Sequence, residues 1–180
     1  MKNFNEFVAE NYKKGKGKSF QDDKFIVKNL KMNDEVYKLR RMVMDFVYRA
    51  KKLTENELPR ITVRISEISV PELIKTDVNF STNSNAQIRI LGVATMGNCE
   101  IWISEGTIKN GYDLQWVTYH EILHAAYGIP HIPESPLMKP YTDKEHQNPA
   151  LLDDIFLSHV NTPDPKEWVK KYGKKYAKKL

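Results

Sequence analysis

Residues His120 to His131 read HEILHAAYGIPH, and this stretch constrains the fold more than any other in the chain. The helix that carries it opens at Gly111 and Asp113 and runs to Gly128. It is apolar over most of its circumference, through Leu114, Trp116, Val117, Ile122, Leu123, Ala125, Ala126 and Tyr127. A helix of that kind has to be enclosed by the rest of the protein, and polar side chains that it takes inside need partners. Asp113 suits the N-cap and Gly128 the stop, where a left-handed residue is easiest for glycine.

Three of the chain's five histidines fall in those twelve residues. On a helix, positions four apart differ by about 40° in azimuth, so His120 and His124 share one face about one turn apart. Two ligands of a tetrahedral zinc are set by that spacing. Glu121 sits about 100° round from His120, where its carboxylate can serve as a general base without ligating. The bland alternative makes both histidines core residues bonded to nearby carbonyls, with Glu121 at the rim. A catalytic Zn2+ site also needs a third protein ligand and an open position. His131, beyond the helix-ending glycine, is the favoured third ligand, and Glu134 could ligate instead. His146 and His159 lie further along and read as surface or core residues.

The remaining chain reads as a frame for that helix. With 180 residues, 41% hydrophobic and 28% charged, it fits one globular domain with its own core. No apolar run approaches a membrane span, and MKNFNEFVAE lacks the apolar core and cleavage site of a secretory signal. Cys99 is the single cysteine, which excludes an internal disulfide and fits a reducing compartment or an enclosed particle. The net charge of +5 is concentrated at the ends, with seven lysines against four acids in residues 1–30 and seven against two in 164–180. The Lys-rich tails could contact DNA or another polyanion without base specificity, although they read first as solvated ends that aid solubility.

Residues 11–24 mix Lys, Gly and Asp without periodicity and read as a linker. Behind a plausible Asn33 cap, Val36, Leu39, Met42, Val43, Phe46, Val47 and Ala50 recur at helical spacing up to Pro59. ITVRISEISV alternates Ile61, Val63 and Ile65 with Thr62, Arg64 and Ser66, the pattern of a half-buried strand. AQIRILGVATM and CEIWISEG predict two more strands in a hairpin. After the histidine helix come a Pro-rich loop to about 149, a helix around ALLDDIFLSHV and a last one around KEWVKKYGKKYAKK.

HEILHAAYGIPH followed by IPESPLM resembles the metzincin metallopeptidases, whose signature is HExxHxxGxxH with a downstream methionine turn. PESPLMKPY and LLDDIFL are most similar to the matrixins among them. The resemblance implies an α+β, zincin-like domain: a twisted mixed β-sheet with a long N-terminal helix, an active-site helix and a C-terminal helical subdomain. It makes Met138 the Met-turn residue beneath the ligands and sets Tyr141 near a tyrosine that assists at the zinc in some members. It has Asp153 or Asp154 buttress the Met-turn, although either could be a charge favourable to the helix dipole. This chain reads HExxHxxxGxxH, one residue longer before Gly128, so the helix must run on or end in a wider turn. Cys99 lies in an expected strand and does not resemble an inhibitory prosegment cysteine.

MKNFNEFVAE resembles the capsid-targeting leader of internal proteins of T-even-type bacteriophages, which is removed after a glutamate, here Glu10. The alternative is an ordinary amphipathic helix with Phe4, Phe7 and Val8 on one side. These readings divide the chain into a leader at 1–10, a linker at 11–24, a metallopeptidase domain at 25–162 and a basic helical tail at 163–180. They predict a zinc metalloendopeptidase acting on a protein or peptide substrate, with capsid or virion proteins as partners and no membrane. Its location would be the capsid interior of a phage virion or the host cytoplasm. CEIWISEG, free of proline, is the expected edge along which a substrate peptide pairs. The competing readings are a non-catalytic virion or scaffold protein that keeps the fold and a closed metal site, and a nucleic-acid binder working through its tails.

Overall fold

The apolar stripe that begins at Val36 folds as α1, Asp34–Leu53, and Asn33 Oδ1 accepts the Val36 N–H at 2.9 Å to cap it. The computed structural model describes residues 19–21, 26–31, 33–69, 92–95, 99–109, 113–139 and 148–177. The expected leader with Glu10 and most of the linker lie outside them, as do Tyr141 and His146. Val36, Leu39, Val43, Val47 and Ala50 form the buried face of α1. Met42, expected in that stripe, is 38% exposed, because it lies about 100° round from the stripe's centre. Thr54 closes the helix, with its N–H on Ala50 O at 3.1 Å and its Oγ1 accepting the N–H of buried Leu58. Glu55 and Asn56, both left-handed, turn the chain toward the sheet.

Among the described residues five strands make one mixed sheet: β1 (Ser19–Gln21), β2 (Ile26–Asn29), β3 (Thr62–Ser69), β4 (Gly92–Thr95) and β5 (Glu100–Ser104). Their order is β1-β2-β3-β5-β4, with β3 and β5 parallel and every other pair antiparallel. The domain is therefore α+β. β4 and β5 form the hairpin read from the sequence, with Gly92 opposite Ile103 and Thr95 opposite Glu100. The strand order overturns one expectation. CEIWISEG supplies β5, which is enclosed between β3 and β4, so its backbone is already paired on both sides; among the described residues β4 is the outermost strand on that side.

Alternation along β3 holds for Val63 and Ile65, which point inward, and for Thr62 and Arg64, which are exposed. Arg64 pairs with Glu100 on the neighbouring β5. Ser66 departs from the pattern, being fully buried with no partner for its hydroxyl among the described residues. After a short α2 (Gly106–Lys109) comes α3 (Leu114–Tyr127), capped by Asp113 and buried from Leu114 through Ala125. α1 packs on β3, α3 packs on β4 and β5, and the two helices pack on each other. α4 (Pro149–Val160) then lies against both.

The segment expected as a basic tail is part of this body. It runs as α5 (Pro165–Trp168), a π-helical stretch (Val169–Gly173) and α6 (Lys174–Ala177). Lys170, Lys171, Lys174 and Lys175 face solvent, whereas Trp168 and Tyr176 are fully buried. Trp168 donates its indole N–H to Ser158 Oγ at 2.9 Å and stacks on His159 at 4.2 Å, 9° from parallel. Two of the largest side chains in the core thus come from a segment that composition alone marks as solvated. Trp168→Ala should cost about 3–5 kcal/mol, the usual loss for emptying a buried aromatic site. Urea denaturation of the full chain measures it, and a loss below about 1 kcal/mol would mean that this segment is not docked.

Candidate metal centre

His120 and His124 project from one face of α3, as their spacing requires, and His131 meets them from the loop beyond Gly128. Gly128 takes φ 64°, and its N–H bonds His124 O at 3.1 Å. The next N–H, from Ile129, reaches six residues back to Leu123 O at 3.2 Å. That span is one residue wider than the usual closure of a glycine-ended helix. From this wide turn His131 comes back to the helix face.

The imidazoles converge through their Nε2 atoms, with His124 Nε2 3.0 Å and His131 Nε2 3.2 Å from His120 Nε2. Metal–nitrogen bonds of 2.0–2.1 Å in a tetrahedron place ligand nitrogens about 3.3 Å apart. His120 Nδ1 lies 2.7 Å from Leu137 O and His124 Nδ1 lies 2.6 Å from Ile129 O. A carbonyl only accepts, so both Nδ1 atoms carry the proton and both neutral rings turn bare lone pairs inward. Two such lone pairs 3.0 Å apart repel unless a cation sits between them. Burial first, then the neighbouring imidazoles, hold His120 well below the usual histidine range. Burial likewise lowers His124 to about 3 and lowers His131. The rings are therefore neutral at pH 7, the form that binds metal. His120, His124 and His131 are the group that could hold a metal ion among the described residues.

Trp116, one turn before His120, stacks on its ring at 4.8 Å and 22°. Its indole N–H donates to Pro136 O at 2.8 Å, which ties the ring's neighbour to the turn beneath. That turn, residues 132–139, closes on itself: Ile132 N–H bonds Met138 O at 2.9 Å and Ser135 N–H bonds Ile132 O at 2.9 Å. Met138, singled out from the sequence, is fully buried there, and its N–H donates to Ser135 Oγ at 3.1 Å. Ser135 Oγ also pairs with His159 Nε2 at 2.7 Å. The turn is thus held by Trp116 and His159.

The carboxylates go elsewhere. Asp153 accepts from Tyr119 Oη at 2.8 Å, Gln115 Nε2 at 3.0 Å and Arg49 Nη2 at 2.5 Å, so it joins α4 to α3 and α1. Asp154 faces Lys175 and Tyr176 in the C-terminal segment. Glu134 is exposed and stands outside the converging group. Glu121 is 5% exposed, and burial pushes its carboxyl up to about 8. Its Oε1, Cγ and Cδ press against Gly92 on β4.

Sequence reasoning missed the roles of Trp116, Ser135, His159 and Gly92. Trp116 had a signal, since it stands one turn from His120 on the same face. Gly92 had one too, because an isolated glycine in a strand marks a close approach. Ser135 and His159 had none, being joined only by the tertiary fold. No known protein-family model, no curated protein and no solved structure matches the chain. Among the described residues, no helix is long and apolar enough to cross a membrane.

Burial also lowers His159 from its ordinary 6.5 to about 3. Below pH 6.5 the unfolded chain takes up this proton while the native chain does not, so stability falls with pH until about 3. In metal-free protein, wild type should therefore lose stability faster on acidification than His159→Gln, by up to about 1.4 kcal/mol per pH unit. Denaturant titrations at a series of pH values give the two slopes, and parallel slopes would exclude a neutral buried His159.

Proposed function

We propose that this protein is a zinc-dependent metalloendopeptidase in which His120, His124 and His131 hold the ion and Glu121 is the general base. One observation carries the reading: three Nε2 atoms converge, two of their rings are fixed by Nδ1–carbonyl hydrogen bonds, and a buried carboxylate follows the first ligand in sequence. Three neutral imidazoles suit zinc, and the three ligands found among the described residues match the number that a catalytic site takes from the protein. When bound, zinc lowers the pKa of a coordinated water toward about 7 and polarises a carbonyl oxygen.

The chain's own groups account for the remaining steps. The Nδ1–H donations of His120 and His124 hold both rings in the ligating tautomer. Beside the bound cation Glu121 would lose the proton that burial favours in the metal-free chain, and would then accept that of the attacking water and pass it to the leaving amine. β4, the outermost strand on its side among the described residues, would offer backbone groups with which an extended peptide can pair. Because Glu121 lies against Gly92 of that strand, a peptide paired there runs past the carboxylate. A closed, purely structural metal site would need a fourth protein ligand, and the exposed position of Glu134 speaks against its filling that place.

Protein reconstituted with zinc should carry about one ion per chain by elemental analysis, with affinity reduced roughly 100-fold or more in His131→Ala. Glu121→Gln should keep the ion and lose about 10²–10⁴ in kcat/KM on a quenched peptide library. A wild type that takes up no zinc, or a Glu121→Gln variant of undiminished activity, would remove the basis of the reading.

A further inference from the structure

Gly92 opens strand β4. Glycine weakens a strand, since it packs no side chain and loses more backbone freedom on folding than any other residue. A glycine inside a strand has one of two physical reasons: a backbone angle closed to other residues, or the close approach of another group. The first does not apply, because Gly128 is the one glycine with positive φ among the described residues.

The second does apply. A Cβ on Gly92 would stand 2.7 Å from Glu121 Oε1, 2.8 Å from Cγ and 3.0 Å from Cδ. Non-bonded carbon contacts ordinarily settle at about 3.5–4.0 Å. The overlap involves the stem of the side chain as well as its end, so rotating the carboxylate alone does not clear it. Retreat is also restricted, for Glu121 is 5% exposed and its helix neighbours Ile122 and Leu123 are fully buried.

We propose that Gly92 is a positioning residue: its missing side chain is the slot in which β4 holds the carboxylate of Glu121, the residue that follows the first ligand. This role rests on the reading of Glu121 as general base. The slot is separate from the groups that orient His120 and His124, because Leu137, Ile129 and Trp116 lie outside β4. A methyl group at position 92 would therefore move the base and leave the metal-holding group in place. Misplacing a reacting group by about 1 Å costs on the order of 100-fold in rate.

Gly92→Ala in the full chain, reconstituted with zinc alone, tests this. The expected result is wild-type zinc stoichiometry, KM within about twofold, kcat lowered about 100-fold, and a crystal structure with the Glu121 side chain displaced and the imidazoles unmoved. Unchanged kcat, or a Glu121 carboxylate that stays where it is in the variant's structure, overturns the proposal. Should Gly92→Ala fail to fold, the double variant Gly92→Ala/Glu121→Ala decides. A folded, zinc-binding double variant supports the slot, and a second failure overturns it by locating the obstacle elsewhere. A wild type without peptidase activity defeats only the hydrolase reading, while the crystallographic comparison still judges the slot.

Discussion

Two hydrogen bonds, from His120 Nδ1 to Leu137 O and from His124 Nδ1 to Ile129 O, govern the centre because each fixes both a ring's orientation and its tautomer. Without an acceptor at Nδ1, an imidazole on a buried helix could rotate or place its proton on Nε2, and the lone pairs would no longer meet. The acceptors come from main chain beyond the helix, so the centre depends on how residues 129–138 are folded back. Gly128 turns the chain, the long reach of Ile129 N–H to Leu123 O sets the width of that turn, and the 132–139 loop brings Leu137 beneath His120.

The loop is in turn anchored by side chains from distant parts of the sequence. Trp116 grips Pro136 O while lying flat on His120, and His159 grips Ser135 while lying flat on Trp168. Asp153 performs a different task, collecting Arg49, Gln115 and Tyr119 so that α1, α3 and α4 keep their relative positions. Its demand on Tyr119 is visible in that phenol, which burial and then the Asp153 hydrogen bond raise well above the ordinary 10.0. Pulling polar groups into a largely apolar helix is costly; Gln115, Tyr119, His120 and His124 each have a hydrogen-bond partner, whereas the buried Thr118 hydroxyl has none among the described residues.

Much of the site was legible before the fold. The four-residue spacing of His120 and His124 follows from helical geometry alone, and the glycine stop after Tyr127 and the Asn33 and Asp113 caps are local signals. The hairpin of β4 and β5 was legible as well, but the strand order was not. Which strand lies at the edge depends on a parallel pairing between β3 and β5, a contact that periodicity does not encode. The C-terminal segment misled for a related reason. Its lysines dominate the composition, yet two aromatic residues eight positions apart, Trp168 and Tyr176, decide where it goes. The partners of Asp153 were unreadable because Arg49, Gln115 and Tyr119 come from two other helices.

The docking of Trp168 has a temporal side. Protein synthesis delivers His120, His124 and His131 first and the indole that steadies His159 well afterwards. A nascent chain stopped short of that tryptophan owns all three imidazoles but lacks the aromatic plate behind the one that grips Ser135. The support of the turn beneath His120 is therefore complete only once residue 168 has been made and docked.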